Sequence, residues 1–499
     1  DLAGLEILKG PQALFFGKNA TAGVINMRTA DPGTETEFMA RASYEFEAEQ
    51  VQGEIMASTP INDTLGVRVA LRGSKMYGGY FKNVAPAVPY STFDIATGQL
   101  NSHIGLPTEG EQPGEKEILG RVTLKWTPND QLTGTLKAAM DHNNVNNASW
   151  NFVCYRSRTG LSTLAPFGPL PGTVEPNPDN YPCTDKFVIH QNNIPADIAQ
   201  SFPYAKEDGQ HYNRYRSYSI TGNLNYDLEN ITFTWVNNWN RNNNRWSCNC
   251  DHQGSPIMVF ATEDSSFRAF SSELRALTKY DGPVNAMLGV YWQDTKRDFR
   301  QHIGFANIED SSQSAVNRYQ ATSKEGGTLG ETVSVFGQVI WSLTSTLEAT
   351  AGVRYTHETK DSDFSQPYNN AAVTGIFRPA SDPLGVVTAD QTFTNWSPEA
   401  TLTWKPMEDV MLYAAYKTAY KSGGFSISGI NSAFSANPLN DLTFDEEKAR
   451  GFEVGVKTTL ADNQLRMNAT LYTYKYKDLQ VDFFRSDIFA FNTITADAK

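Results

Sequence analysis

Leu347-Glu348-Ala349-Thr350-Ala351-Gly352-Val353-Arg354-Tyr355-Thr356 alternates apolar and polar residues along an extended chain. Leu347, Ala349, Ala351, Val353 and Tyr355 fall on one side, and Glu348, Thr350, Arg354 and Thr356 on the other. Such a strand has two unlike faces, so Arg354 meets water or a polar lumen while its sequence neighbours meet something apolar. The same period returns at residues 65–72, 132–141, 219–227 and 465–472. A soluble sandwich also alternates, but its strands average about 5–6 residues, and these segments run longer.

The connections separate the remaining architectures. Short turn clusters sit at residues 60–63, 128–130, 227–230, 280–283, 343–345, 406–409 and 461–463, each between patterned strands. The other connections are long, near residues 82–115, 143–213, 241–265, 300–330, 359–392 and 422–446. Short turns on one rim and long loops on the other describe an all-β chain folded as a transmembrane antiparallel β-barrel. No apolar run approaches the roughly 18 residues of a membrane helix, and the mean hydropathy is -0.44. Trp126, Tyr226, Tyr280, Trp341 and Trp404 fall at the short-turn ends of strands in the phase of the apolar residues, which predicts an aromatic belt at one membrane interface. The turns divide the chain into about fifteen strands with a sixteenth beginning near Ile488, against about 22 in barrels with plugged lumens.

Charge and motifs exclude other classes. A net charge of -13 over 499 residues gives nucleic acid no basic surface to bind. The seven histidines form no H-E-x-x-H, and no G-x-G-x-x-G, P-loop or nucleophile elbow occurs, so no enzyme is expected. Cys154, Cys183, Cys248 and Cys250 all lie in loop segments, which suits an oxidising compartment. A Cys154–Cys183 bridge is the favoured pairing, and pairing of either with Cys248 or Cys250 is the alternative. Cys248, Cys250 and His252 supply only three strong ligands, so neither metal nor cofactor is expected.

The segment from Ile7 to Thr29, ILKGPQALFFGKNATAGVINMRT, reads as a strand, a Gly10-Pro11 turn, a compact bend around Gly17 and a second strand from Val24 to Thr29. With Lys9, Gly10, Pro11, Gln12, Gly17, Asn19, Ala20, Gly23 and Asn26, it resembles the end of the plug domain of TonB-dependent outer-membrane receptors. Two further segments carry the resemblance: YAAYKTAYKSGGF at 413–425 is similar to the family's strand ending in a Gly-Gly-Phe bend, and EEKARGFEVGVK at 446–457 to the strand after it. Ala22-Gly23 stands where the family commonly has a Gly pair.

The resemblance implies that residues 1–32 are the C-terminal part of a plug and residues 33–499 a partial barrel. The earlier plug and its TonB box are then expected upstream, and about six strands downstream. It also implies active import across the bacterial outer membrane, driven by a TonB-type inner-membrane complex, of a scarce nutrient such as a ferric siderophore. A saccharide, cobalamin or aromatic compound is an alternative cargo. A soluble carbohydrate-active β-protein is the alternative of a different class, though it gives the aromatic belt no purpose.

Ligand contacts are expected in the long loops. The largest carries Trp150, Phe152, Tyr155, Arg156, Arg158, Tyr181, Tyr204 and Tyr212, a set suited to stacking and cation–π contact with a planar ligand. Acidic residues outnumber basic ones in the same loop, which weakens the case there for a strongly anionic ligand.

Overall fold

The computed structural model describes residues 2–147, 163–164, 168–169, 187–189, 191–249, 259–305, 307–462, 464–488 and 490–498. Sixteen strands form one antiparallel sheet in which each strand pairs with its neighbours in chain order. The first four are Glu37–Glu45, Gln50–Asn62, Leu65–Met76 and Gly114–Asn129, followed by Leu132–Asn146, Tyr212–Asp227, Ile231–Asn249 and Val259–Thr278. Then come Val284–Phe305, Thr322–Ser342, Leu347–Asn369 and Val386–Met407, and finally Val410–Lys421, Glu447–Leu460, Leu465–Arg485 and Ala490–Ala498. Glu37–Glu45 and Ala490–Ala498 are the two edges, and the barrel is not closed.

The two faces are inverted relative to a water-soluble fold. Arg354 and Glu358 are 3% and 1% exposed, whereas Leu288 and Trp404, one strand position out of phase with the inner face, are 62% and 48% exposed. Side chains carrying charge are hidden inside the curl while Leu, Val and Trp face outward, which is stable only where the outer medium is itself apolar. The outward positions stay largely apolar from Leu132 to Met140, Ile231 to Trp239, Val284 to Trp292, Val333 to Trp341 and Leu347 to Tyr355. That is about nine residues per strand, the length a tilted strand needs to cross a bilayer.

Aromatic residues stand at both ends of this band. Trp126, Tyr226, Tyr280, Trp341 and Trp404 are all exposed at the short-turn end, Tyr280 lying just past the strand that ends at Thr278. At the other end stand Tyr218, Trp239, Phe270, Trp292 and Trp396, with Tyr355 and Trp396 in ring contact at 4.8 Å. Alternation read along single strands shows the first group beside the turns; the second appears only when the strands are laid in register.

The long-loop end is more ordered than a reading of loops suggests. Val259–Thr278, Val284–Phe305 and Thr322–Ser342 run through much of the segments expected as loops, because their backbone pairing continues after the outward face turns polar. The hairpin Val88–Asp94/Gln99–Gly105 lies within the expected loop 82–115, and Ile308–Glu309 joins it in parallel. Glu309 is buried there and accepts hydrogen bonds from Thr92 Oγ1, Asn101 Nδ2 at 2.9 Å and Arg318 Nε at 2.8 Å. Among the described residues no helix is long and apolar enough to cross a membrane.

Candidate functional site

Residues 2–29 lie inside the curl. Leu2–Lys9 and Gly23–Thr29 pair antiparallel, and the chain between them forms a turn and the short helix Ala13–Phe16. Gly10 adopts φ +71°, and a Cβ there would strike the Tyr474 ring of the wall; Gly17 adopts φ +71° beside the Arg354 guanidinium. Both positions therefore need glycine for the backbone angle as well as the close approach. Gly10 N donates to Ala22 O and Gln12 N to Ala20 O, each at 3.0 Å, which closes the bend on itself.

Specific contacts hold this bend against the wall. Leu14 packs with Met287 and Phe336, and Arg354 Nη1 donates to Leu14 O at 3.3 Å while its guanidinium lies over Phe336 at 4.6 Å. Lys18 Nζ bonds Glu358 Oε1 at 2.5 Å and donates to Thr332 Oγ1 at 2.8 Å. Glu358 also accepts from the Ser422 hydroxyl and faces Lys360 Nζ at 3.6 Å. Asn19 N donates to Tyr420 O at 2.8 Å, Asn19 Oδ1 accepts from Ser422 N at 3.2 Å, and Thr21 Oγ1 donates to Glu447 Oε1 at 2.8 Å.

Of the other residues singled out in this stretch, Pro11 and Ala20 are buried, Lys9 is exposed, and Gly23 closes the strand pair opposite Lys9. Asn26 Nδ2 donates to Glu6 Oε2 at 3.0 Å.

Above the bend opens a cavity of about 820 Å³. Phe15, Phe16, Gly17, Lys18 and Asn19 form its floor, and the inward positions of the strands form its walls, including Tyr291, Arg297, Arg354, Glu358 and Lys360. Phe425 and Phe444, from the bend after Lys421 and the segment facing it, add to the wall. The lining holds five cations, Lys18, Arg297, Arg354, Lys360 and Lys421, against three carboxylates, Glu273, Glu358 and Asp482, and Glu358 is already paired with Lys18. In a chain of net charge -13, the lumen is locally positive and lined with aromatic rings. Such a lining suits an anionic, aromatic ligand through charge and ring contacts.

Of the loop residues expected to touch ligand, only Tyr204 and Tyr212 are among the described residues. Trp150, Phe152, Tyr155, Arg156, Arg158 and Tyr181 lie outside the described residues. Tyr204 and Tyr212 are engaged in packing: Tyr212 OH donates to Tyr204 O at 2.7 Å, Arg245 lies 4.7 Å over the Tyr204 ring, and His302 contacts that ring at 5.4 Å. Neither Tyr204 nor Tyr212 lines the lumen cavity. Phe15, Phe16 and the inward cations were missed because a single strand shows that a charge faces inward without showing which inward charges meet.

The same rim contains His211, buried beside the strand Tyr212–Asp227, with Nε2 donating to Asn192 O at 3.2 Å. Burial pushes this imidazole down to about 4, against the opposing effect of its hydrogen bond to Asn192 and with a further push from Lys206. Cys248 is disulfide-bonded and so offers no thiolate to a metal. Cys154, Cys183 and Cys250 lie outside the described residues.

Comparison with known proteins agrees with this architecture. Residues 155–498 match the family model described as TonB dependent receptor-like, beta-barrel. A pesticin receptor of Yersinia enterocolitica is 22% identical over 483 residues, covering 96% of this chain and 57% of the receptor. The crystal structure of a ferric yersiniabactin uptake receptor from Yersinia pestis superposes with a TM-score of 0.65 at 17% identity, over 96% of this chain and 61% of that one. A siderophore receptor from Acinetobacter baumannii gives a TM-score of 0.66 at 14% identity, over 99% of this chain and 64% of that one. At these identities the likeness to the solved structures is one of fold, and the chain spans about three fifths of their length. The family match over most of the chain settles the assignment: this protein belongs to the TonB-dependent receptors, the β-barrel receptors of the bacterial outer membrane.

Proposed function

We propose that the protein takes part in TonB-dependent import of a ferric siderophore, with the lumen cavity above the 13–19 bend as a seat for the ligand. The observation that carries this reading is the lining itself, positive and aromatic in an otherwise acidic chain. Iron chelates built on catecholate or phenolate groups combine negative charge with aromatic rings, which matches Arg297, Lys360 and Lys421 beside Phe15, Phe16 and Phe425. The siderophore receptors among the similar proteins point to the same cargo class.

In this reading residues 1–32 are the last part of the plug. Their contacts with the wall support it, as does the exposed apolar set Leu5, Ile7, Ile25 and Met27, which suits packing against further plug. The two aromatic rows mark the membrane interfaces. A TonB-type inner-membrane complex supplies the work that moves the plug and opens a path.

The test is growth of a deletion strain under iron limitation on individual ferric siderophores, with the full-length gene restored as control. Loss of growth on one aromatic iron chelate supports the reading. Unchanged use of every iron chelate contradicts it, and loss of growth on a saccharide or cobalamin instead would reassign the cargo.

A further inference from the structure

The inner wall of the barrel changes character over two neighbouring strands, Tyr212–Asp227 and Ile231–Asn249. Ile220, Leu224, Trp235 and Trp239 are exposed on the outside, so the alternate positions face the lumen. From Asn213 to Asn225 and from Thr232 to Trp246, no inward position carries a charge. Pairing sets Ser217 opposite Asn242, Thr221 opposite Asn238 and Asn225 opposite Thr234, a ladder of amides and hydroxyls from the rim towards the turn. Its members bond one another, Asn238 Nδ2 donating to Thr221 Oγ1 at 2.7 Å and Thr234 Oγ1 to Asn225 Oδ1 at 2.8 Å. Charge returns on either side, with Lys137 and Asp141 inward on Leu132–Asn146 and Glu263, Glu273 and Arg275 inward on Val259–Thr278.

The N-terminal segment inside the curl is tied to the wall on both sides of this sector. On one side Lys137 Nζ meets Asp31 Oδ1 at 2.8 Å and donates to Thr29 Oγ1 at 3.2 Å. On the other, Leu14 packs on Met287, and Lys18, Asn19 and Thr21 engage Glu358, Tyr420 O and Glu447. Among the described residues, no hydrogen bond or ion pair joins residues 2–31 to either uncharged strand. Phe267, which lines the lumen cavity, lies opposite Asn242, so the uncharged sector borders the cavity directly.

We propose that these two inner faces form the lane along which the ligand descends once the bend moves, a step that rests on the import reading above. A charged wall either holds a charged ligand or turns it away, whereas passage needs contacts weak enough to be left as readily as they are entered. Amides and hydroxyls both donate and accept, so they exchange hydrogen bonds with water and with a hydrated chelate at small net cost. The cations suited to retaining an anionic chelate, Arg297, Lys360 and Lys421, stand on other strands. Seat and lane thus differ in chemistry and lie side by side.

The experiment expresses the full-length protein in a deletion strain and measures an iron-labelled ferric catecholate in two ways, as binding to de-energised cells and as initial uptake by energised ones. N223K/N238K should bind within twofold of wild type and import at least tenfold more slowly, because the lane now holds the anion. N223D/N238D, which repels it, should also slow import, and if one of the two variants does not fold the other decides. N223Q/N238Q should import at close to the wild-type rate, as should T401K, which places a charge on the inner wall outside the lane. Heat-modifiable electrophoretic mobility checks the fold of each. Wild-type uptake by the folded Lys and Asp variants overturns the proposal, and so does equal slowing by T401K. Weakened binding by N223K/N238K also overturns it, by making these strands part of the seat. Absence of chelate binding by wild-type protein would overturn the siderophore reading and the lane with it, and the binding step tells that result apart from a failure of the lane alone.

Discussion

Lys18 and Glu358 form the most concentrated contact between the 13–19 bend and the barrel wall. Glu358 is 1% exposed and has three partners, Lys18, the Ser422 hydroxyl and Lys360. Removing one partner of a buried pair leaves an uncompensated charge, which costs about 3–5 kcal/mol when nothing replaces it. Lys360 remains at 3.6 Å in a Lys18→Met variant, so the expected loss is smaller, about 1–3 kcal/mol. Glu358→Gln in the same chain should restore part of it, because the orphaned charge is then gone. Thermal unfolding of the full-length protein and its three variants reads the coupling, and strictly additive effects would show that the pair does not act as a unit.

His211 gives a pH dependence of definite sign. Its folded value of about 4 lies below the ordinary histidine value of 6.5, so the unfolded state binds more protons between those limits. The stabilising contribution of the neutral ring is complete above about pH 6.5 and is lost as pH falls towards 4. Protection of the amides at residues 191–212 against hydrogen exchange, taken relative to the intrinsic exchange rate at each pH, should therefore fall over that window in wild-type protein. A His211→Gln variant should show a flatter profile, and equal profiles would exclude this residue as the cause.

At the scale of the strand, much was legible in the sequence. Leu347-Glu348-Ala349-Thr350-Ala351 states both faces, and Arg354 and Thr356 are buried while Val353 is exposed, as alternation requires. A strand carries its pattern locally, so sixteen strands and their turns can be read one at a time. The upper aromatic row and the lumen cavity cannot, because Trp239, Trp292 and Trp396 share a height only through pairing register. Phe15, Phe16, Arg297 and Lys360 likewise meet only after the sheet has curled around the bend. The hairpin Val88–Asp94/Gln99–Gly105 escaped for a related reason, since its stability draws on Glu309 and Arg318, more than 200 residues away in the chain.

The outward band makes its own prediction. Leu288 is 62% exposed, so in a water-soluble protein Leu288→Arg would be nearly neutral. Facing hydrocarbon at the middle of the apolar band Val284–Trp292, the arginine should cost about 2–4 kcal/mol. Folding of full-length protein into lipid vesicles under a urea gradient measures this, and a change within about 0.5 kcal/mol would contradict a bilayer-facing surface.

At the scale of the whole molecule, three surfaces differ in chemistry and surroundings. The outer band meets lipid, the bend is clamped to the inner wall by Lys18, Asn19 and Thr21, and the cavity between them is cationic and aromatic. In the proposed import, movement of the bend would carry Phe15 and Phe16 away from the cavity floor and break the Glu358 contact in the same step, so opening and ligand release would be mechanically linked. The central claim, that ligand sits on this floor, is tested most directly by equilibrium binding of a ferric catecholate chelate to full-length protein, using wild type and Phe15→Ala/Phe16→Ala. The account predicts at least tenfold weaker binding by the folded variant, with little affinity of either protein for an uncharged saccharide. Unchanged affinity in a variant that retains its fold and thermal stability would contradict it and place the ligand elsewhere.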